Sequence, residues 1–175
     1  RDAVAYIWRN AGDLGLDRDR IGVIGHSAGG HITQMMMGTN WPVHDPSLPA
    51  DLIKCGIPIS PLSHLEPVRR THGLNAALRM TADEAAEQSP VIHHPPRTSA
   101  PQLVAVGGGE TSEFKRQAQM YVDAFADDRR PIELFTVPDV DHLGIINVLA
   151  DRKSPFQARV LDMIFSLKGH SGHSA

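Results

Sequence analysis

The sequence predicts an α/β fold built on a parallel sheet, and three observations carry the prediction. Short apolar runs of buried-strand length fall at Arg20 to Gly25, Ile53 to Ser60, Gln102 to Val106 and Ile132 to Val137. These runs alternate with segments whose apolar residues repeat at helical spacing, and strands joined by helical crossovers pair in parallel with helices covering the sheet. Composition agrees: 41% apolar and 21% charged residues in a chain of 175 support one buried core and argue against disorder, collagen-like repeats or a coiled coil.

Each element has its own signal. Val4, Ile7, Trp8 and Ala11 mark a helix already under way at Arg1, and with no initiator Met the sequence reads as part of a longer chain. Gly12, Gly15 and Asp17 turn the chain into the first strand, which ends at Gly25. His26-Ser27-Ala28-Gly29-Gly30 then leads into a helix over His31 to Gly38, with Ile32, Met35 and Met36 at helical period. After the second strand a polar stretch over 61–94 departs from the sheet, with Thr81-Ala82-Asp83-Glu84 as a capping box for one short helix. Pro90 to Pro101 reads as an ordered connection. Beyond the third strand an amphipathic helix spans Thr111 to Asp127; beyond the fourth, Leu143 to Ala150 is a short helix. Ser154-Pro155-Phe156-Gln157 places an N-cap Ser, a first-position Pro and a box Gln before a last helix to about Leu167. The expected organisation is a partial domain over 1–168, with 61–96 as a cap-like excursion and 169–175 as a disordered tail.

Charge and residue counts exclude several classes. Seventeen Lys and Arg against twenty Asp and Glu give a formal charge of -3 with no basic block, which argues against a nucleic-acid partner. No apolar run approaches the roughly 20 residues that span a bilayer, so no membrane partner is expected. The one cysteine, Cys55, cannot form an internal disulfide, and cytoplasm is the default compartment. Ten histidines are scattered, without HExxH or paired cysteines, so neither a metal nor another cofactor is expected.

Gly25-His26-Ser27-Ala28-Gly29 matches GxSxG, the pattern of a strained strand-to-helix turn that projects a serine hydroxyl above a sheet. The match lies between an apolar strand and a helix, the setting the chemistry requires; the bland reading is that Ser27 only caps a helix. A serine nucleophile needs a base, and the base needs a carboxylate that holds its tautomer, in the chain order Ser, acid, His. Glu110 follows the third strand through three glycines, and His142 follows the fourth through Pro138-Asp139-Val140-Asp141, so all three fall at carboxyl ends of strands. Glu113, Asp139 or Asp141 could orient His142 instead, with Glu110 merely favouring the next helix N-terminus, and His142 could be an ordinary loop histidine.

The stretches GHSAGGH at 25–31, LVAVGGGETSEFKRQA at 103–118 and DHLGIINVL at 141–149 together resemble the carboxyl-terminal part of an α/β-hydrolase. The branch resembled is that of the kynurenine formamidase-like, or arylformamidase-like, serine hydrolases, close to esterases of the hormone-sensitive-lipase type. Ile59 to Leu62, Leu65-Glu66-Pro67 and Asn75 to Leu78 resemble that branch as well. The resemblance implies Ser27 as nucleophile, Glu110 as acid, His142 as base, the Ala28 amide as one oxyanion donor, no cofactor, and a small amide or ester as substrate. A general carboxylesterase and a non-catalytic interaction domain are the alternatives. It also implies an HGG-type loop as second oxyanion donor, a motif not found in this sequence. The amino-terminal strands are therefore expected to be missing, leaving the strand before Ser27 with an unpaired apolar edge and opening the way to a homo-oligomer.

Overall fold

A computed structural model describes residues 1–167; the predicted tail over 169–175 lies outside the described residues. The sheet consists of β1 (Gly22–His26), β2 (Cys55–Ile59), β3 (Gln102–Gly107) and β4 (Ile132–Val137), all parallel and ordered β1-β2-β3-β4. One row of paired residues, His26, Ile59, Ala105 and Phe135, crosses the whole sheet near the carboxyl ends of the strands. The predicted first strand is shifted by two residues at its start. Arg18–Arg20 forms a short 3-10 turn capped by the Asp17 carboxylate, so pairing begins at Gly22 and runs on to His26.

The helices are α1 (Asp2–Arg9), α2 (Ala28–Met37), α3 (Trp41–His44), α4 (Glu66–Arg70), α5 (His72–Leu78), α6 (Ala82–Glu87), α7 (Pro90–His93), α8 (Ser112–Phe125), α9 (Gly144–Ala150) and α10 (Pro155–Phe165). They cover the sheet on both sides, and β3 shows the consequence most directly. Leu103 and Ala105 point into a cluster with Ile145 of α9 and Phe156, Val160 and Met163 of α10. Val104 and Val106 point the other way, against Ala118 and Tyr121 of α8. The period-two alternation of a strand thus feeds two cores, which is why β2 and β3 read as continuous apolar runs. β1 pairs on one side only among the described residues, and Ile24 there is half exposed.

Three local expectations are corrected. The stretch after β2 holds four short helices, α4 to α7, where one was expected. All four are too short to leave a 3.6-residue period, and two close on local side-chain bonds: Glu66 binds Arg69 and Arg70 in α4, and Asn75 accepts from the Met80 N–H beyond α5. The capping box at Thr81 and Glu84 does open α6. At α10 the Ser154 hydroxyl caps the Phe156 and Gln157 N–H groups, but the Gln157 side chain donates to the Leu149 carbonyl instead of closing a box. At the amino end α1 stops at Arg9, Ile7 faces outward, and the buried positions are Ala5 and Ala11.

Cys55 opens β2 with 1% of its surface exposed, and burial pushes its thiol up to about 11. In the native protein at pH 8 it should resist iodoacetamide and react only as fast as the fold opens. Labelling at the rate of a free thiol, before any loss of structure, would contradict this packing.

Candidate active site

β1 ends at His26 and α2 begins at Ala28, so Ser27 alone makes the turn between them. It does so at φ 58, ψ -115, a backbone region that L-residues rarely occupy and that costs about 1–3 kcal/mol. The strain is held in place by backbone bonds: the Ser27 N–H donates to the Ile59 carbonyl at 2.9 Å, and the Ser27 carbonyl accepts from the His31 N–H at 3.0 Å. Close packing forces two glycines. A Cβ on Gly25 would lie 2.3 Å from the Gly29 carbonyl oxygen, and one on Gly30 would lie 2.7 Å from the Ile59 carbonyl oxygen. A Cβ on Gly29 meets nothing within 4 Å, so the glycine pair the turn needs is 25 and 30, not 25 and 29 as the pattern suggested.

The acid and the histidine arrive on two loops that are bonded to each other. After β3, the Gly108 N–H donates to the Val137 carbonyl at 2.7 Å and the Gly109 N–H to the Val140 carbonyl at 3.0 Å. These bonds fix the Glu110 loop against the loop that carries His142. The result is one hydrogen-bonded series: His142 Nε2 lies 3.0 Å from Ser27 Oγ, and His142 Nδ1 lies 2.8 Å from Glu110 Oε2. A carboxylate only accepts, so Nδ1 carries the proton and Nε2 is left to accept the Ser27 hydroxyl proton. The Glu110 side chain has no exposed surface, yet its charge is compensated by three donors. Oε1 accepts from the Ser60 hydroxyl at 2.5 Å and from the Gly107 N–H at 2.7 Å, and Oε2 accepts from His142.

Two of the rival carboxylates are engaged elsewhere. Glu113 binds Arg116 and Gln117 within α8, and Asp141 accepts from the Leu143 and Gly144 N–H groups at the start of α9. Asp139 sits in the turn after β4 at φ 55. Glu110 is the one of the four that reaches His142. Ala28 stands first in α2, where an N–H has no acceptor within the helix and the helix end is electropositive.

Three residues at this site escaped the sequence reading. Phe114 stacks on the His142 ring at 4.3 Å between centroids and 28° between planes. His26 packs near the same imidazole at 4.5 Å, tilted by 39°. Burial, and then the neighbouring charge of His142, hold the His26 imidazole below its ordinary range, which favours its neutral form. The third is Ser60, fully buried directly after β2 at φ 45. Its sequence signals are a small polar residue between an apolar strand and a proline, and its place in the Ile59 to Leu62 stretch, neither of which points to a bond with Glu110.

The BD-FAE family model matches residues 1–47. A kynurenine formamidase from Danio rerio is 30% identical over 144 residues, which are 80% of this chain and 48% of that protein. The chain therefore spans about half the length of this curated relative. A solved structure of a candidate thioesterase from Silicibacter sp. tm1040 is 31% identical, with a TM-score of 0.63 over 89% of this chain and 57% of that one. This chain has the α/β-hydrolase fold and is similar to the kynurenine formamidases over about half of their length. An esterase from Pyrobaculum calidifontis shares the fold at 18% identity, with a TM-score of 0.69 over 95% of this chain and 58% of that one.

Within this α/β-hydrolase chain, Ser60 separates backbone strain from hydrogen bonding in a usable way. Ser60→Gly relieves the left-handed backbone but removes a donor to the buried Glu110 carboxylate, so it should lose less stability than Ser60→Ala while turnover falls about 10- to 100-fold. Ser60→Ala should lose similar activity and some stability. Denaturant unfolding and kcat of the full-length variants check both, and full activity in Ser60→Gly would show the hydroxyl to be dispensable.

Proposed function

We propose that the protein is a serine hydrolase that cleaves a small amide or ester through an acyl-enzyme intermediate, in the manner of the kynurenine formamidases. The observation that carries this reading is the contact series from a strained Ser27 through His142 to Glu110, with 3.0 and 2.8 Å separations. Ser27 Oγ attacks the substrate carbonyl while His142 Nε2 takes its proton. The developing oxyanion meets the Ala28 N–H at the amino end of α2, where the dipole of the helix favours negative charge. His142 then returns the proton to the leaving group, and the acyl group stays on Ser27. Water, deprotonated by the same imidazole, attacks the acyl carbon, and the imidazolium gives that proton to Ser27 Oγ as the acid departs. Glu110 remains ionised throughout and stabilises the imidazolium formed in each half-reaction. No step calls on a metal or another cofactor.

The substrate side of the reading rests on likeness to the Danio rerio formamidase: an aryl formamide such as N-formylkynurenine. A general carboxylesterase is the second reading, favoured by esterases among the solved structures of the same fold. The -3 formal charge without a basic block argues against a nucleic-acid partner, and cytoplasm is the default compartment of this reading. No helix among the described residues is long and apolar enough to cross a membrane.

In the full-length protein a fluorophosphonate should label Ser27 alone, and Ser27→Ala should abolish labelling and lower kcat by about 10⁶-fold. Labelling that survives the substitution would overturn the assignment. Because an imidazolium cannot accept the Ser27 proton, kcat/KM should fall on the acid side, and a chelator should leave it unchanged. Comparing kcat/KM for the formamide and for a short aryl ester on one preparation decides between the two substrate readings; an untouched formamide leaves the carboxylesterase.

A further inference from the structure

The His142 imidazole meets two rings that come from two sides of the sheet. Phe114 belongs to α8, which packs on Val104 and Val106, and its ring stacks on the imidazole at 4.3 Å and 28°. His26 ends β1 in register with Ile59, which pairs in turn with Ala105. Ile59 and Ala105 face the cluster built on α9 and α10, so strand alternation sends the His26 side chain to that side. Its ring lies 4.5 Å from the same imidazole, tilted by 39°.

The His26 ring makes little use of its nitrogens. Nε2 is buried and has no hydrogen-bond partner among the described residues, which leaves Nδ1 as the nitrogen that can bond the His142 backbone. Burial first, and then the charge of His142, hold the His26 imidazole below its ordinary range, with the His142 backbone and the Glu110 carboxylate acting the other way. A neutral ring can lie against an imidazolium without repelling it.

The two half-reactions make different demands on these rings. Before attack the imidazole is tied at both ends, Nδ1 to Glu110 at 2.8 Å and Nε2 to the Ser27 hydroxyl at 3.0 Å. Once Ser27 is acylated its oxygen carries no proton, and the neutral Nε2, an acceptor, loses that partner. One bond at Nδ1 leaves the ring free to swing about it, at the very step in which Nε2 must meet a water facing the acyl carbon. Rings packed on the imidazole remove that freedom whatever the state of the serine.

We propose that His26 is a positioning residue for deacylation: with Phe114 it clamps the His142 imidazole in line while Ser27 carries the acyl group. The proposal rests on the hydrolase reading and adds to it a residue that acts through His142.

The test compares full-length wild type, His26→Phe and His26→Asn with p-nitrophenyl acetate. Phe keeps a flat neutral face and discards both nitrogens, whereas Asn keeps a polar group near the place of Nδ1 and discards the face. His26→Phe should keep kcat within about 3-fold of wild type, and His26→Asn should lose about 10-fold or more. In His26→Asn, kcat/KM, which reports acylation, should stay within about 3-fold, and a stoichiometric burst of p-nitrophenolate should precede the steady state. His26→Leu, similar in volume but without a flat face, should repeat the His26→Asn result and replaces it if that variant does not fold. Full kcat in His26→Asn would overturn the proposal, as would an equal loss in His26→Phe, which would give the role to a nitrogen. A fall of kcat and kcat/KM together would also overturn it, because damage to the site or a role in acylation lowers both. In each of these cases, fluorophosphonate labelling of Ser27 and turnover by wild type leave the hydrolase reading standing. A wild type that is neither labelled nor active would overturn that reading and the proposal with it.

Discussion

The carboxyl end of β2 sets the distance between the two ends of the candidate site. Its last residue, Ile59, accepts the Ser27 N–H, and the next, Ser60, donates its hydroxyl to Glu110. Gly30 allows α2 to come close enough for the first bond, because any Cβ there would meet the Ile59 carbonyl. Ser60 takes a left-handed backbone and donates its own N–H to the Ala105 carbonyl, which directs the chain onward and its side chain to the acid. Two adjacent buried residues, the last of β2 and the one after it, therefore locate a serine and a carboxylate that are 83 positions apart in the chain. His142 fills the gap between them.

This arrangement is rigid because of where β2 and β3 lie. Both strands are buried along their whole length, one side packed on α9 and α10 and the other on α2 and α8. Interiors packed this closely do not deform by small amounts, so strand ends hold their relative positions. The loops beyond those ends gain the same rigidity by bonding to one another, as Gly108 and Gly109 do to the segment after β4. The strained backbone at Ser27 persists for this reason: its surroundings determine it more strongly than its own preference does.

The environment of His142 balances two demands. One ring nitrogen faces a buried, fully hydrogen-bonded carboxylate, while 29% of the side chain stays accessible. Phe114 and His26 restrict the imidazole without competing for its hydrogen bonds, and burial favours the neutral form of His26, which limits charge repulsion when His142 is protonated. Phe114 belongs to α8, whose Ala118, Tyr121 and Phe125 pack on β3 and β4, so the position of this ring follows from the core.

Much of the fold was legible from the sequence because its signals are local. Buried parallel strands are uninterrupted apolar runs, and α8 and α10 carry an apolar stripe at helical spacing, so type and order follow from composition within a few residues. The GxSxG turn is local too, since its strain and its glycines lie within six positions. Of the short helices between β2 and β3 only α6 was legible, through its capping box, because helices of four to seven residues are too short to leave a period. Which of four carboxylates meets His142, and that Ser60, His26 and Phe114 join them, was decided by contacts across 28 to 116 positions of chain. Only the tertiary structure makes those contacts: side-chain reach is a few ångströms, and the packing of the parallel sheet alone determines which distant residues come within it.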